Sequence, residues 1–157
     1  MKQKLHRQNK LQLLLNSVMG AVFVLAVLLP SCGIKTEAIN YGEDVCVYCS
    51  MTAIDKKFGA ELINDKGKVL KFDCAECMIR FVKSDKGFVP SKLLVASYEN
   101  HGELIDAEKA FYLSGGNVNS PMGGKLAAFN RREAAESAQK ELNGDVLLWD
   151  KVKALNF

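Results

Sequence analysis

FGAELINDKGKVLKFDCAECMIRFVK, residues 58–83, decides the fold because it contains a β-hairpin followed directly by a helix. Residues 58–63 predict a strand, and residues 68–72 predict its return strand. Between them, Asn64-Asp-Lys-Gly67 places Asn, Asp and Gly where a hairpin turn needs them. The stretch therefore begins with an antiparallel pair of strands.

The hairpin is expected to run straight into a helix. Asp73 is a good N-cap residue, and Glu76 stands three residues later, as in a capping box. The helix is predicted from Cys74 to about Lys83. Its apolar residues follow the i, i+3, i+4, i+7, i+8 spacing of one buried helix face: Cys74, Cys77, Met78, Phe81 and Val82.

The same order of elements occurs twice. In the first half a strand over residues 93–98 follows the helix, and in the second half Asn130 is the predicted helix cap, with Glu133 at the capping-box position. The second half is predicted to contain strand 110–113, a Gly- and Asn-rich loop 114–124, strand 126–129, helix 131–142 and strand 146–149. The sequence thus predicts an α+β fold of duplicated ββαβ units, at about 46–98 and 104–150.

The first 31 residues are predicted to be an export signal rather than part of the fold. Basic residues without acids occupy positions 1–10, an almost wholly apolar run extends to Pro30, and Leu29-Pro-Ser-Cys32 resembles a bacterial lipobox. Cys32 is then the lipidated N-terminus, and residues 32–45 tether it to the domain. The alternative is an uncleaved transmembrane anchor. Both interpretations place the remaining chain outside the cytoplasm, on the periplasmic side of the inner or outer membrane.

The charge balance excludes one class of partner. The chain has 157 residues and a formal net charge of +3, with 21 Lys and Arg against 18 Asp and Glu. Without the four basic residues of the signal, 17 Lys and Arg remain and the net charge becomes −1. A nucleic-acid-binding domain is expected to be strongly basic. We therefore expect no nucleic-acid partner for this single domain.

Two C-x2-C pairs carry the chemistry. The first lies in CVYCSM, residues 46–51, as Cys46 and Cys49, and the second is Cys74 with Cys77. In an exported protein such pairs commonly form disulfides, whereas in a cytosolic protein the four cysteines together would predict a zinc site; export disfavours zinc here but leaves it as an alternative. His101 is the one histidine after the signal. A three-His zinc site or a histidine-rich Cu(II) site is therefore excluded.

Two methionines are candidate copper ligands. Thiolate and thioether sulfurs are soft ligands that favour Cu(I). Cys49 and Met51 are two residues apart, so in an extended segment both point to the same side. Met122 lies in the loop sequence Pro121-Met-Gly-Gly, where a metal ion can be accepted and released. The alternative is that both methionines pack against apolar neighbours, as methionine usually does.

Enzyme signatures are weak. The chain has no phosphate-binding loop after a strand, no nucleophile elbow and no Ser/His/Asp set. Asp44 and Asp106 have no assigned chemistry, and His101 is a minor candidate for an extra ligand. A C-x-x-C pair at a helix start allows thiol chemistry because the helix dipole lowers a thiol pKa there. A thiol enzyme therefore remains an alternative to a non-enzymatic binding protein.

The ordered set of short motifs resembles the NosL family of lipoprotein copper chaperones. The resemblance covers nearly the whole chain after the signal. It rests on Cys32, Cys49-Ser-Met51, Phe58-Gly-Ala-Glu, Phe72-Asp73, Ile105-Asp-Ala107, Pro121-Met-Gly123, Ala128-Phe129 and Gly144-Asp-Val-Leu-Leu-Trp149-Asp.

The resemblance implies a non-enzymatic carrier that delivers Cu(I) to the tetranuclear copper–sulfide centre of nitrous oxide reductase, in denitrification. It implies Cys49, Met51 and Met122 as copper ligands; Cys46, the other thiol of the CVYCSM stretch, is a further possible metal ligand that the resemblance does not itself assign. It also implies two ββαβ repeats similar to part of the organomercurial lyases. Ser50 departs from the family pattern, in which Gly usually separates the Cys and the Met. The Cys74/Cys77 pair suggests structural zinc with Cys46 and Cys49, or an acceptor that is another copper enzyme.

Overall fold

The computed structural model describes residues 36–84 and 87–157, and it contains antiparallel sheets packed with short helices. The mixed α and β class predicted from the sequence is therefore confirmed. The predicted signal of residues 1–31 and the lipidation site Cys32 lie outside the described residues.

The first half forms a four-stranded sheet covered by a helix. Its elements are β1 Ala60–Asn64, β2 Val69–Phe72, α1 Ala75–Ser84, β3 Pro90–Ala96 and β4 Leu104–Asp106. The strand order is β2-β1-β3-β4, and every neighbouring pair is antiparallel. In the β1–β2 turn, the Asn64 side chain accepts hydrogen bonds from the amides of Lys66 (3.1 Å) and Lys68 (2.8 Å). The Asn64 side chain therefore closes the predicted turn by accepting hydrogen bonds from the backbone of the turn.

The second half forms a three-stranded antiparallel sheet. Its elements are β5 Phe111–Ser114, β6 Leu126–Phe129, α2 Arg132–Leu142, β7 Asp145–Leu148 and the short α3 Trp149–Val152. The strand order is β6-β5-β7, so the first hairpin strand is central, as β1 is between β2 and β3. Across residues 36–84 and 87–157, no helix has the length and apolar character needed to cross a bilayer.

The two sheets meet at the end of β3. Ser97 forms an isolated parallel bridge with Ala128, and the Tyr98 amide donates to the Ala128 carbonyl at 2.8 Å. The Tyr98 ring lies between Phe58 (centroids 5.7 Å apart) and Phe129 (5.5 Å). One aromatic side chain thus contacts the cores of both halves, and the buried apolar residues form one continuous cluster.

Three details differ from the sequence-based expectations. β4 was not predicted, because three residues at a sheet edge are too short to show an alternating pattern. The N-cap of α2 is Arg131, which makes no side-chain capping bond, so the predicted cap at Asn130 is wrong by one residue. β3 begins at Pro90, where the missing amide is tolerated at the first residue of a strand.

Residues 37–44, expected to belong to a tether, contact the first sheet. The Glu37 amide donates to Glu61 Oε1 at 3.1 Å, and Glu61 is fully buried in β1. The Lys71 ammonium donates to Asp44 Oδ2 at 2.8 Å, and this bond holds the pKa of Asp44 below its ordinary value. The start of the cysteine-containing loop is therefore attached to β2.

Candidate metal centre

The CVYCSM loop, residues 46–51, is a tight turn fixed at both ends. Val45 and Thr52 form an antiparallel bridge, and the Cys46 amide donates to the Met51 carbonyl at 2.8 Å. The Ser50 amide donates to the Cys46 carbonyl at 2.9 Å, which brings the two cysteines of the loop to one side. Ser50 adopts the left-handed backbone conformation, with φ of 64°.

The loop cysteines face the N-terminal turn of α1. Sγ of Cys46, Sγ of Cys49, a carboxylate oxygen of Asp73 and Sγ of Cys77 all lie within 4.8 Å of one another. We call these four residues the four-donor cluster. Cys46 and Cys77 are buried, and Cys49 is half-buried. Three sulfurs and one oxygen therefore converge on a small volume between the loop and the helix.

Cys74 is the one cysteine of the two pairs outside this cluster. All four cysteines are free thiols in the structure. Cys74 is fully buried beside Cys77, with which it shares a hydrogen bond that lowers its pKa. Burial and the charges of Glu76 and Asp73 outweigh that bond, so the pKa of Cys74 is raised overall.

Asp73 is the member of the cluster that the sequence assigned to a different role. Asp73 is 2% exposed, and its carboxylate oxygens accept no hydrogen bond from an N–H or O–H donor in the described part of the chain; the Cys77 thiol is a weak neighbouring donor. The predicted capping of α1 by Asp73 is therefore not made. A buried carboxylate without a strong donor is costly, and a cation offsets that cost.

Cys46 is the most acidic thiol of the cluster. A hydrogen bond from the Cys77 thiol lowers the pKa of Cys46 to about 6, and the backbone amides of Cys49 and Asp73 also favour its thiolate. The bond with Cys46 raises the pKa of Cys77, which keeps its proton. Burial raises the pKa of Cys49 to about 11. Cys46 is therefore the thiol of the cluster that loses its proton most readily, and the thiolate is the form that binds a metal.

Met51 lies at the surface beside the cluster. Its side chain is 43% exposed, and it lines an open cleft of about 500 Å³ together with Asp73, Ile54 and Pro121. The C-x-M pair thus has a half-buried thiol and an exposed thioether.

Met122 lies on the neighbouring loop but lines a different cavity. That cavity, of about 360 Å³, is bounded by Arg80, Gly124 and Phe157 among others. Pro121, the residue before Met122, reaches the Met51 cleft. The structure therefore places the Met122 loop at the edge of the cleft, with Met122 lining the adjoining cavity and packing against the hydrophobic core.

Glu76 holds the Met122 loop in place. The Ser120 hydroxyl and the Leu126 amide (3.3 Å) both donate to Oε1 of this fully buried residue. The Lys125 amide donates to Ser120 Oγ at 2.9 Å. Glu76, expected in a capping box, instead ties α1 to the loop that follows β5.

Comparison with known proteins identifies the family. The NosL family model matches residues 39–156, which include the four-donor cluster, Met51 and Met122. The chain belongs to the NosL family. The resemblance found in the sequence motifs is therefore confirmed.

Two relatives illustrate how this NosL family member compares with others. It is 28% identical over 152 residues to the copper-binding lipoprotein NosL of Stutzerimonas stutzeri, covering 85% of this chain and 80% of that relative. Its fold matches the crystal structure of the copper chaperone NosL from Shewanella denitrificans, with a TM-score of 0.64 and 20% sequence identity. That match covers 76% of this chain and 96% of the other.

The other residues of this NosL family member that the sequence analysis considered lie outside the four-donor cluster. His101 is exposed in a turn and is not part of the four-donor cluster. Asp106 accepts a hydrogen bond from the Glu108 amide at 3.0 Å, which gives it a local turn role.

Asp73 could have been recognised from its position four residues before Cys77, since i and i+4 side chains share a helix face.

Proposed function

We propose that this protein is a membrane-tethered, extracytoplasmic Cu(I) carrier that binds copper through Cys49, Met51 and Met122. The proposed activity of the protein is the binding and release of Cu(I), without catalysis. A half-buried thiol next to an exposed thioether at the mouth of a cleft is the observation that carries the proposal. Both donors are soft, so the pair favours Cu(I) over harder divalent ions.

The three ligands contribute differently. The Cys49 thiolate gives the strongest bond and is half-buried in the four-donor cluster, whereas Met51 lines the cleft and is exposed to solvent. Met122 would complete the site through a change of side-chain rotamer that moves its thioether from the adjoining cavity toward Pro121. Thioether bonds to Cu(I) are exchangeable, which suits a protein that must release its cargo.

The proposed acceptor is nitrous oxide reductase, whose tetranuclear copper–sulfide centre needs copper during assembly, or another copper enzyme. Membership of the NosL family supports this acceptor class. Lipidation at Cys32 would keep the carrier at the membrane on the periplasmic side. A relative named as a lipoprotein supports that anchor.

Copper binding is tested by anaerobic titration of the full-length protein in detergent against a chromophoric Cu(I) chelator. We expect wild type to bind one copper at this site and Cys49→Ala, Met51→Ala and Met122→Ala each to weaken it by at least about tenfold. Ile54→Ala is the matched control, because Ile54 is exposed in the same cleft and offers no donor.

One outcome would contradict the proposed copper site. Unchanged affinity in both Cys49→Ala and Met51→Ala would show that the C-x-M pair is not the copper site.

Copper transfer is tested next by incubating the copper-loaded protein with copper-free nitrous oxide reductase and measuring the copper content of the reductase. A failure to transfer, with intact binding, would point to a different copper enzyme as acceptor.

We also infer that the two halves are duplicated ββαβ units. The central position of the first hairpin strand in both sheets supports this origin, as does the placement of a helix after each hairpin. Phe72 and Phe129 both end the second hairpin strand and are both buried. Superposition of the two halves in an experimental structure would test the equivalence of these positions.

A further inference from the structure

The four-donor cluster has the composition of a second metal site. Its three thiols and one carboxylate lie within 4.8 Å of one another, and four donors of these types match the tetrahedral coordination of zinc. We propose that Cys46, Cys49, Asp73 and Cys77 bind a resident zinc ion. The set differs from the four-cysteine set expected from the sequence, because Asp73 takes the place of Cys74.

Donor spacing supports this site. Zinc bonds of about 2.0–2.3 Å place tetrahedral donors about 3.4–3.8 Å apart. No pair of donor atoms is more than 4.8 Å apart before any metal is bound, so the widest pair needs to close by at most about 1.0–1.4 Å. Small side-chain rotations would close it, because Cys46 and Cys49 belong to a loop whose two ends are already fixed by the Val45–Thr52 bridge.

Asp73 gives independent support for a cation. Its carboxylate is almost fully buried, accepts no hydrogen bond from an N–H or O–H group, has only the Cys77 thiol recorded beside it as a weak donor, and takes part in none of the ion pairs of the described residues. A carboxylate buried beside three thiols needs a positive charge to offset its desolvation. A divalent ion at the cluster supplies that charge and uses both kinds of donor.

The carboxylate also favours zinc over copper at this position. Cu(I) prefers soft sulfur ligands, so a copper ion bound by the three cysteines would leave Asp73 unpaired among thiolates. Zinc binds thiolate sulfur and carboxylate oxygen alike, and binding releases the thiol protons to solvent. All four donors are then satisfied by one ion.

The zinc ion would crosslink the CVYCSM loop to the first turn of α1. Cys49 belongs both to this set and to the copper ligands, and this part of the inference rests on the proposed function. A zinc-bound Cys49 can serve copper only as a bridging thiolate or after release from zinc. Zinc occupancy and copper affinity are therefore coupled through one sulfur atom.

The test uses full-length protein in detergent, reduced and without oxygen, loaded with zinc chloride and then titrated with a chromophoric zinc chelator. Wild type is expected to retain one zinc. Asp73→Asn, which keeps the side-chain shape, and Cys77→Ala are each expected to weaken zinc binding by at least about tenfold. Cys74→Ala is the matched control: it removes a buried thiol of α1 and is expected to keep zinc.

Cobalt substitution provides a second readout that does not depend on variants. Tetrahedral Co²⁺ with thiolate ligands gives intense visible and near-ultraviolet bands, and three thiolates are expected in wild type. Loss of zinc in Cys74→Ala with retention in Asp73→Asn would overturn the proposal in favour of four cysteines. A wild type that neither retains zinc nor shows thiolate-bound cobalt would also overturn it.

Separate copper titrations distinguish failure of the zinc proposal from failure of the carrier proposal. If copper binds in a Met51-dependent way and zinc does not bind, the zinc site is wrong and the carrier proposal stands. If zinc binds through Asp73 and copper does not bind, the zinc site stands and the carrier proposal is wrong. Where both bind, zinc loading is expected to lower the copper affinity of wild type more than that of Cys77→Ala.

Discussion

Ser50 separates the thiol and the thioether of the C-x-M pair, and its backbone is in the left-handed region, with φ of 64°. A residue with a Cβ adopts this conformation at a cost of about 1–2 kcal/mol, which glycine avoids. The turn is nonetheless fixed by the bond from the Ser50 amide to the Cys46 carbonyl. The family pattern, in which Gly separates the Cys and the Met, therefore has a conformational reason. This chain has Ser50 at that position instead.

Ser50→Gly is expected to stabilise the fold by about 0.5–1 kcal/mol, because relief of the strained φ exceeds the entropy that glycine adds to the unfolded chain. Urea unfolding under reducing conditions measures the change. Thr52→Gly, just after the loop, is the control and should lower stability, since Thr52 pairs with Val45 in extended conformation. A lower stability for Ser50→Gly would show that the serine side chain compensates for the strain.

The contact between α1 and the Met122 loop is the element-scale feature that most affects the site. Glu76 accepts bonds from the Ser120 hydroxyl and the Leu126 amide at the two ends of the loop. Gly124 packs so closely on Glu76 that a Cβ there would lie 2.6 Å from its Cγ atom. The base of the loop is thus held by one buried side chain.

Glu76→Ala is expected to destabilise the protein by about 2–3 kcal/mol, because two buried donors lose their acceptor. Amide hydrogen exchange of residues 120–126 should rise more than exchange in β1. Glu141→Ala, at an exposed position of α2, is the control and should change stability by less than about 0.5 kcal/mol. Unchanged loop exchange in Glu76→Ala would mean that packing alone holds the loop.

Elements with strong local signals could be predicted, and long-range contacts could not. The hairpin turn at Asn64 and the periodic face of α1 predicted three elements within a few residues of their observed bounds. Helical spacing is compatible with either Asp73 or Cys74 lying next to Cys77, and the sequence analysis assigned Asp73 to helix capping instead. Only the position of the CVYCSM loop selects Asp73, and that position depends on tertiary packing between distant segments.

At the scale of the whole molecule, Tyr98 connects the two sheets. Its ring contacts Phe58 of the first half and Phe129 of the second, and the Lys57 ammonium lies 5.6 Å from the ring centroid. Aromatic contacts of this kind contribute beyond the apolar area they bury. Cooperative unfolding of the two halves is therefore expected to depend on this residue.

Tyr98→Ala is expected to lower stability by about 2–4 kcal/mol, through lost packing and the cavity left between the sheets. Thermal unfolding followed by Trp149 fluorescence and by far-ultraviolet circular dichroism measures the change. The two signals should coincide in wild type and separate in the variant if the halves lose cooperativity. Tyr48→Ala, with a side chain 41% exposed, is the control and should have a small effect.

The strand pairings have a consequence for folding rates. Each ladder of the two sheets joins strands within one half, and among the described residues the isolated bridge between Ser97 and Ala128 is the strand pairing that spans them. Pairings of short sequence separation form faster because closing a short loop costs less entropy. Each sheet can therefore form before the halves dock, and the docking contacts form late. Loss of the Tyr98 ring should accordingly accelerate unfolding while leaving the refolding rate nearly unchanged.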